Sequence, residues 1–297
     1  MTDPTDAMYD TVLVPTDGSE HATRAAEHGL LLARAFDAAV HVVSVVDTRT
    51  ATEVAGEDER VLERLGREAA EAVEAVAAMA DRGPVERAVL SGEPSAAILG
   101  YADREGVDLL AMGTHGRTGI NRYIAGSVTE RVLRRADAPV LTVRPVAASP
   151  GEGYDEVLVP TDGSEPAAAA VASGVDVAGR FDARVHAVTV LEAGEAWLAP
   201  PFATPTEVIE QLESAGERAV GAVAGRARAA GLTAVTAVRE GRAAPELLAY
   251  ADEHGVDLVV MGTAGRTGID RYLLGSTTER LVRHAEVPVL AVNAREG

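Results

Sequence analysis

Two glycine-punctuated stretches hold the residue types and spacings on which chemistry can be built. The first, Asp108 to Arg135, reads DLLAMGTHGRTGINRYIAGSVTERVLRR. Its apolar run Leu109 to Met112 suits a buried strand that delivers the backbone to Gly113. Gly113, Gly116 and Gly119 have no β-carbon to keep an anionic ligand off the main chain. Gly126 and Ser127 follow, and Ser127 with Glu130 reads as a capping box, so the next helix would aim its free N–H groups and positive dipole end back at the loop. Strand, loop and helix start thus converge on a point fit for phosphate. Taken alone, the segment suits an ordinary strand-to-helix connection equally well.

The second copy changes that balance. Gly255 to Asn293 repeats Gly106 to Arg144 with 25 of 39 positions identical, and Gly113, Gly116, Gly119 and Gly126 recur as Gly262, Gly265, Gly268 and Gly275. The start of the repeat is as plain: YDTVLVPTDGSE from Tyr9 returns as YDEVLVPTDGSE from Tyr154. Tyr154 follows Tyr9 by 145 positions and Gly262 follows Gly113 by 149, so the second half has four extra residues. They are expected around Glu192 to Thr206. There EAGEAWLAPPFATP holds the only tryptophan, and Trp197 and Phe202 would either pack under a longer loop or belong to a ligand lid.

Composition excludes several functions. The net charge is −19 and all 27 basic residues are arginine, so a phosphate loop built on lysine is absent, as is G-x-G-x-x-G after either first strand. Such a charge disfavours non-specific binding to nucleic acid or an anionic membrane. The acidic, alanine-rich, lysine-free composition resembles that of proteins from salt-loving microbes, although high genomic GC content also removes lysines. Without cysteine there is no disulfide, thiol nucleophile or thiolate metal site. The acidic start MTDPTDAMYD lacks a signal-peptide pattern and no apolar run nears the ~20 residues that span a bilayer, so a cytoplasmic location is expected.

The elements that must position the loop follow in order. Strands are predicted at Val12 to Val14, Val40 to Val46, Val85 to Leu90, Leu109 to Met112 and Val140 to Val143. Between them lie helices over about Glu20 to Phe36, Glu57 to Arg82, Pro94 to Glu105 and from Ser127. Strands near Val157 to Val159, Val185 to Leu191, Val235 to Val238, Leu258 to Met261 and Val289 to Val292 repeat the programme. Near-continuous valine and strict alternation with helices mean α/β architecture: two tandem open parallel sheets with helices on both faces. Residues 1–145 form the first domain, the proline, glycine and serine-rich 146–153 a linker, and 154–297 the second domain.

The sequence resembles a known family on these residues. Gly113-x-x-Gly116, nine residues, then Gly126-Ser127 is similar to the G-2x-G-9x-G-(S/T) signature of ATP-binding universal stress proteins, the UspA-like group, and Gly262, Gly265 and Gly275-Ser276 match it again. The resemblance covers nearly the whole chain. It implies five-stranded sheets in the order 3-2-1-4-5, like those of adenine nucleotide alpha hydrolases, with ATP at the carboxyl ends of strands one and four. Ligands in open α/β sheets sit at that same switch point.

Transferred position by position, the resemblance sets Pro15 and Asp17 beside the nucleoside and Val45 against adenine. Met112 and Gly113 take the ribose and α-phosphate, and Gly116, Arg117, Gly126, Ser127 and Val128 the phosphates. In the second half the same roles fall to Pro160, Asp162, Val190, Met261, Gly262, Gly265, Arg266, Gly275, Ser276 and Thr277. For Asp17 and Asp162 helix capping competes with ligand contact. His115, which is Ala264 in the second copy, either touches phosphate or is an exposed loop histidine.

The implied function is a cytoplasmic stress-response sensor or regulator that binds Mg²⁺-ATP in each half, with at most slow hydrolysis. A slow ATPase or phosphotransferase, or a structural stress protein without nucleotide, are the alternatives. No catalytic set and no metal ligands accompany the loops. The halves are expected to form a pseudo-dimer through the apolar edges Val140 to Val143 and Val289 to Val292, and a further homodimer is open.

Overall fold

The computed structural model describes residues 8–48, 59–114, 127–192, 205–263 and 274–293. The chain divides into two compact units after Glu152. In the first, the order is β1 (Thr11–Pro15), α1 (Glu20–Phe36), β2 (Ala39–Val46), α2 (Glu59–Ala77), β3 (Val85–Ser91), α3 (Pro94–Glu105), β4 (Leu109–Gly113), α4 (Ser127–Arg135) and β5 (Val140–Val143). In the second it is β6 (Glu156–Pro160), α5 (Glu165–Phe181), β7 (Arg184–Leu191), α6 (Pro205–Ala229), β8 (Ala234–Glu240), α7 (Ala243–Glu253), β9 (Leu258–Gly262), α8 (Ser276–His284) and β10 (Val289–Val292). The expected α/β alternation holds in both, and the spacing between β7 and β8 exceeds that between β2 and β3 by the four extra residues.

Each unit is a parallel sheet, ordered β3-β2-β1-β4-β5 in the first and β8-β7-β6-β9-β10 in the second. Right-handed crossovers fix which face each helix takes. The chain moves outward from β1 to β3 through α1 and α2, then jumps back across β1 to β4 and moves the other way. α1 therefore packs on β1 and β4, α2 on β2 and β3, and α3 against α4 on the opposite layer. Because both faces are covered, the central strands are apolar along their length: Val12 to Val14 and Leu109 to Ala111 are fully buried, as are Val157 to Val159. The outer strand β3 is half exposed, and its side chains alternate with charge.

A carboxylate seals the start of each central strand. Asp108 Oδ2 accepts from the backbone N–H groups of Asp10 and Thr11, both at 3.1 Å. Asp257 Oδ2 does the same for Asp155 at 2.7 Å and Glu156 at 2.8 Å. These bonds fix the register of β1 against β4 and of β6 against β9 at the end away from the glycine loops.

Part of the segment expected as a linker is docked on the first unit. Ala147 is buried, His28 Nε2 on α1 donates to the Ala148 carbonyl at 3.0 Å, and Ser149 donates to Glu27 at 3.0 Å and also meets Arg24. Burial pushes the His28 imidazole down to about 4, so it is neutral near pH 7 with its proton on Nε2.

Candidate functional site

The site is built where paired strands separate. β1 pairs with β4 only at Val12↔Leu109 and Leu13↔Leu110, although the strands run on to Pro15 and Gly113. Beyond that point each strand follows its outer neighbour. Thr16 N–H donates to Val43 on β2 at 2.8 Å, and Thr114 N–H to Val143 on β5 at 3.0 Å. The sheet thus opens between β1 and β4 at their carboxyl ends, the switch point of the strand order. The second unit opens in the same way. Pairing stops after Val157↔Leu258 and Leu158↔Val259, while Thr161 follows Val188 at 2.9 Å and Thr263 follows Val292 at 3.0 Å.

One wall of each crevice is a tight turn. Gly18 sits at φ 75°, a conformation that excludes most side chains, and its N–H donates to Thr16 Oγ1 at 3.1 Å. Asp17 Oδ1 accepts from Ser19 N–H at 3.0 Å. Ser19 then caps α1, its hydroxyl accepting from Ala22 N–H at 3.2 Å. The cap is therefore Ser19, and Asp17 closes the turn that leads into it. Gly163 at φ 74°, with Thr161 and Asp162, rebuilds this turn, with Asp162 Oδ1 to Ser164 N–H at 2.9 Å.

The other wall is the start of α4. Thr129 Oγ1 donates to the Gly113 carbonyl at 2.7 Å, and Thr278 Oγ1 to the Gly262 carbonyl at 2.8 Å, which pins each helix to the end of its strand. Gly275 N–H donates to the Thr263 carbonyl at 2.7 Å, so the two ends of the second glycine loop are tied together. None of these three threonine and glycine contacts depends on a charged group.

One sequence expectation is corrected by the helix starts. The capping box fails: α8 is capped by Gly275, Ser276 is its first residue, and Ser127 likewise lies inside α4. Glu130 and Glu279 instead pair with Arg134 at 3.0 Å and Arg283 at 2.7 Å one turn on. A glycine cap has no side chain to cover the first-turn N–H groups of α8, which suits an anion better than the box did. The absence of a β-carbon at Gly113 also serves packing. A Cβ there would come within 2.8 Å of the His21 carbonyl carbon and oxygen on α1.

Pro15, Pro160, Met112 and Met261 are buried at the strand ends. Asp17, Asp162, Gly113, Gly262, Gly275 and Thr277 are half-buried around the crevices, with Val128 in the first turn of α4. Val45 and Val190 stand near the ends of β2 and β7, opposite Leu90 and Arg239. His115, Gly116, Arg117 and Gly126, Ala264, Gly265 and Arg266, and Trp197 and Phe202 lie outside the described residues. Sequence reading gave no role to Thr16, Thr129, Thr161 and Thr278, although each is identical in both copies.

Comparison with known proteins accounts for the duplication. A universal stress protein from Methanocaldococcus jannaschii is 38% identical over 141 residues, which are 46% of this chain and 83% of that protein. A universal stress protein from Thermus aquaticus is 38% identical over 141 residues, 46% of this chain and all of that protein. Each thus matches about one unit. The crystal structure of a universal stress protein from Archaeoglobus fulgidus superposes with a TM-score of 0.63 at 22% identity, covering 96% of this chain and 98% of its own, which shows a shared fold. The profile of the universal stress protein family matches residues 8–144 and again 153–293, so the chain belongs to that family and carries its domain twice.

Proposed function

We propose that each unit binds an adenine nucleotide, ATP with its magnesium ion, in the crevice between its first and fourth strands, and that the protein acts as a nucleotide-dependent regulator in a cytoplasmic stress response. The observation that carries this reading is the loss of strand pairing at the switch point of both units, beside which, in the second unit, stands a helix start whose cap has no side chain. Magnesium arrives with the nucleotide and offsets phosphate charge. A ribose hydroxyl would meet Asp17 or Asp162, whose carboxylates are already oriented by the turn. Adenine would lie toward Val45 or Val190. Phosphates would follow the glycine frame to Val128 in the first unit and to Gly275, Ser276 and Thr277 in the second. Among the described residues no helix is long and apolar enough to cross a membrane.

Titration calorimetry on Gly116→Val, Gly265→Val and the double variant tests the reading. Each single change should remove one of two ATP sites, because the side chain intrudes where the backbone must approach phosphate. Two-site binding that survives in the double variant overturns the assignment. Hydrolysis should stay far below the ~1 to 100 s⁻¹ of kinases, since Arg117 or Arg266 and the carried magnesium would have to stabilise the charge without any lysine. Single-turnover rates of wild type and His115→Ala measure it. The same reading keeps the two halves as a pseudo-dimer joined through the apolar edges β5 and β10, and a scattering envelope of two independently moving halves would contradict it.

A further inference from the structure

The two units differ in charge where the third helix of each begins. In the first, Glu93 caps α3, accepting from Ala96 N–H at 2.8 Å and from the Ser95 hydroxyl at 2.6 Å, and reaches across to Arg131 on α4 at 2.7 Å. In the second unit the matching positions are Arg242 for Glu93, Arg280 for Arg131 and His284 for Arg135. A carboxylate that bridged two helices has become a third cationic or titratable group. Among the described residues neither Arg242 nor Arg280 makes an ion pair.

Between α7 and α8 the exchange leaves a surface groove of about 280 Å³, lined by Arg242, Ala244, Pro245, Leu248, Arg280 and His284. The carboxylates nearby do not line it. Glu192 accepts from Ala243 N–H at 2.8 Å and so takes over the capping of α7. The Glu246 side chain lies against Gly241, and Glu279 pairs with Arg283. In a chain of net charge −19, two arginines that share a groove without a carboxylate repel one another, and an anion between them relieves this. Guanidinium forks suit a phosphate better than a single carboxylate, since each can donate two parallel hydrogen bonds to its oxygens.

We propose that the α7/α8 groove of the second unit is a binding site for a phosphomonoester. Its dianionic head is held by Arg242 and Arg280, and its apolar body lies on Ala244, Pro245 and Leu248. The site is separate from the nucleotide crevice and does not depend on that crevice holding ATP.

Phenyl phosphate titrated into the full chain, followed by calorimetry, tests this. One saturable site is expected. Arg242→Glu, which restores the arrangement of the first unit by giving Arg280 a carboxylate partner, should weaken it about tenfold or more, the loss of one charge-assisted contact. The Gly116→Val, Gly265→Val double variant should bind phenyl phosphate as the wild type does, with circular dichroism confirming the fold of each variant. Inorganic phosphate should bind more weakly, because it leaves the apolar floor uncovered. Absence of saturable binding, or equal affinity in Arg242→Glu, overturns the proposal. Loss of binding in the double variant reassigns the ligand to the crevice, and benzoate binding as tightly as phenyl phosphate overturns the phosphomonoester assignment.

Discussion

The two units agree at the crevice and diverge at its surroundings. Thr129 and Thr278 pin the fourth helix of the unit to its strand at 2.7 and 2.8 Å, and Asp108 and Asp257 seal the opposite end of the central strands. On the outer helices the units differ at three places. Ser19 caps α1 through its hydroxyl, whereas Ser164 Oγ is buried without a partner and Ala167 N–H goes to the Ser164 carbonyl at 3.2 Å. His28 is buried in α1, and its counterpart in α5 is Ser173. Glu93 joins α3 to α4, and Arg242 leaves α7 and α8 facing each other across a groove. Backbone geometry at the strand ends is what both units need, so side chains on the outer helices were free to take separate roles.

The largest test of this comparison is Gly113→Ala. A Cβ would meet backbone atoms of His21 at 2.8 Å, and backbone in a helix start cannot step aside. The variant should lose about 3 kcal/mol or more in chemical denaturation. Gly100→Ala, on an exposed stretch of α3 with open space at its Cβ, should change stability by about 1 kcal/mol or less, in the stabilising direction. Equal costs for the two would show that Gly113 has no packing role.

Next in size is the acid sensitivity of the first unit. His28 sits at about 4 when folded against 6.5 when exposed, so between those values the unfolded chain binds the extra proton. Its contribution is fully present above pH 6.5 and is lost as pH falls toward 4, by about 3 kcal/mol at most. His28→Ser, which copies the second unit, should flatten that slope in urea melts from pH 7 to pH 4. A slope that persists in the variant places the acid sensitivity elsewhere.

Glu93 gives a smaller, opposite case. Partial burial raises its carboxyl, but hydrogen bonds from Ser95 and Ala96 and the Arg131 charge outweigh this and hold it at about 2. Its stabilisation is present above about pH 4.5 and disappears as pH falls through 2. Glu93→Ala should cost about 1 kcal/mol at pH 7, the usual loss of a helix cap, while Arg242→Ala should cost nearly nothing. A matching loss in Arg242→Ala would break the contrast between the units.

The smallest effect concerns the whole chain. With −19 charges, raising KCl from 0.1 to 1 M, which shortens the screening length from about 10 to about 3 Å, should raise the melting temperature by a few degrees. A flat or falling Tm contradicts self-repulsion as a destabilising force.

Much of the fold was legible because its signals are local. Val140 to Val143, Val289 to Val292, Glu20 to Phe36 and Pro94 to Glu105 were expected with the bounds they have, since apolar runs, a cap and proline at a helix start act over a few residues. The repeat showed that the glycine frame mattered twice. The capping box misled because its two residue types fit the pattern one position late. Only the helix start itself reveals that Gly275 takes the cap and that Glu279 turns to Arg283.

By itself the sequence determined the alternation of strands and helices, the duplication, and the glycine positions where backbone must come close to something. The tertiary structure decided what that something is: at Gly113 it is the first turn of α1, ninety-two positions earlier in the chain. It also decided that Glu93 would meet Arg131 and that Arg242 would share a groove with Arg280. The reason is physical. Local patterning fixes which backbone dihedrals and which faces are favoured, whereas contacts between distant residues exist only once crossovers have stacked the helices on the sheet.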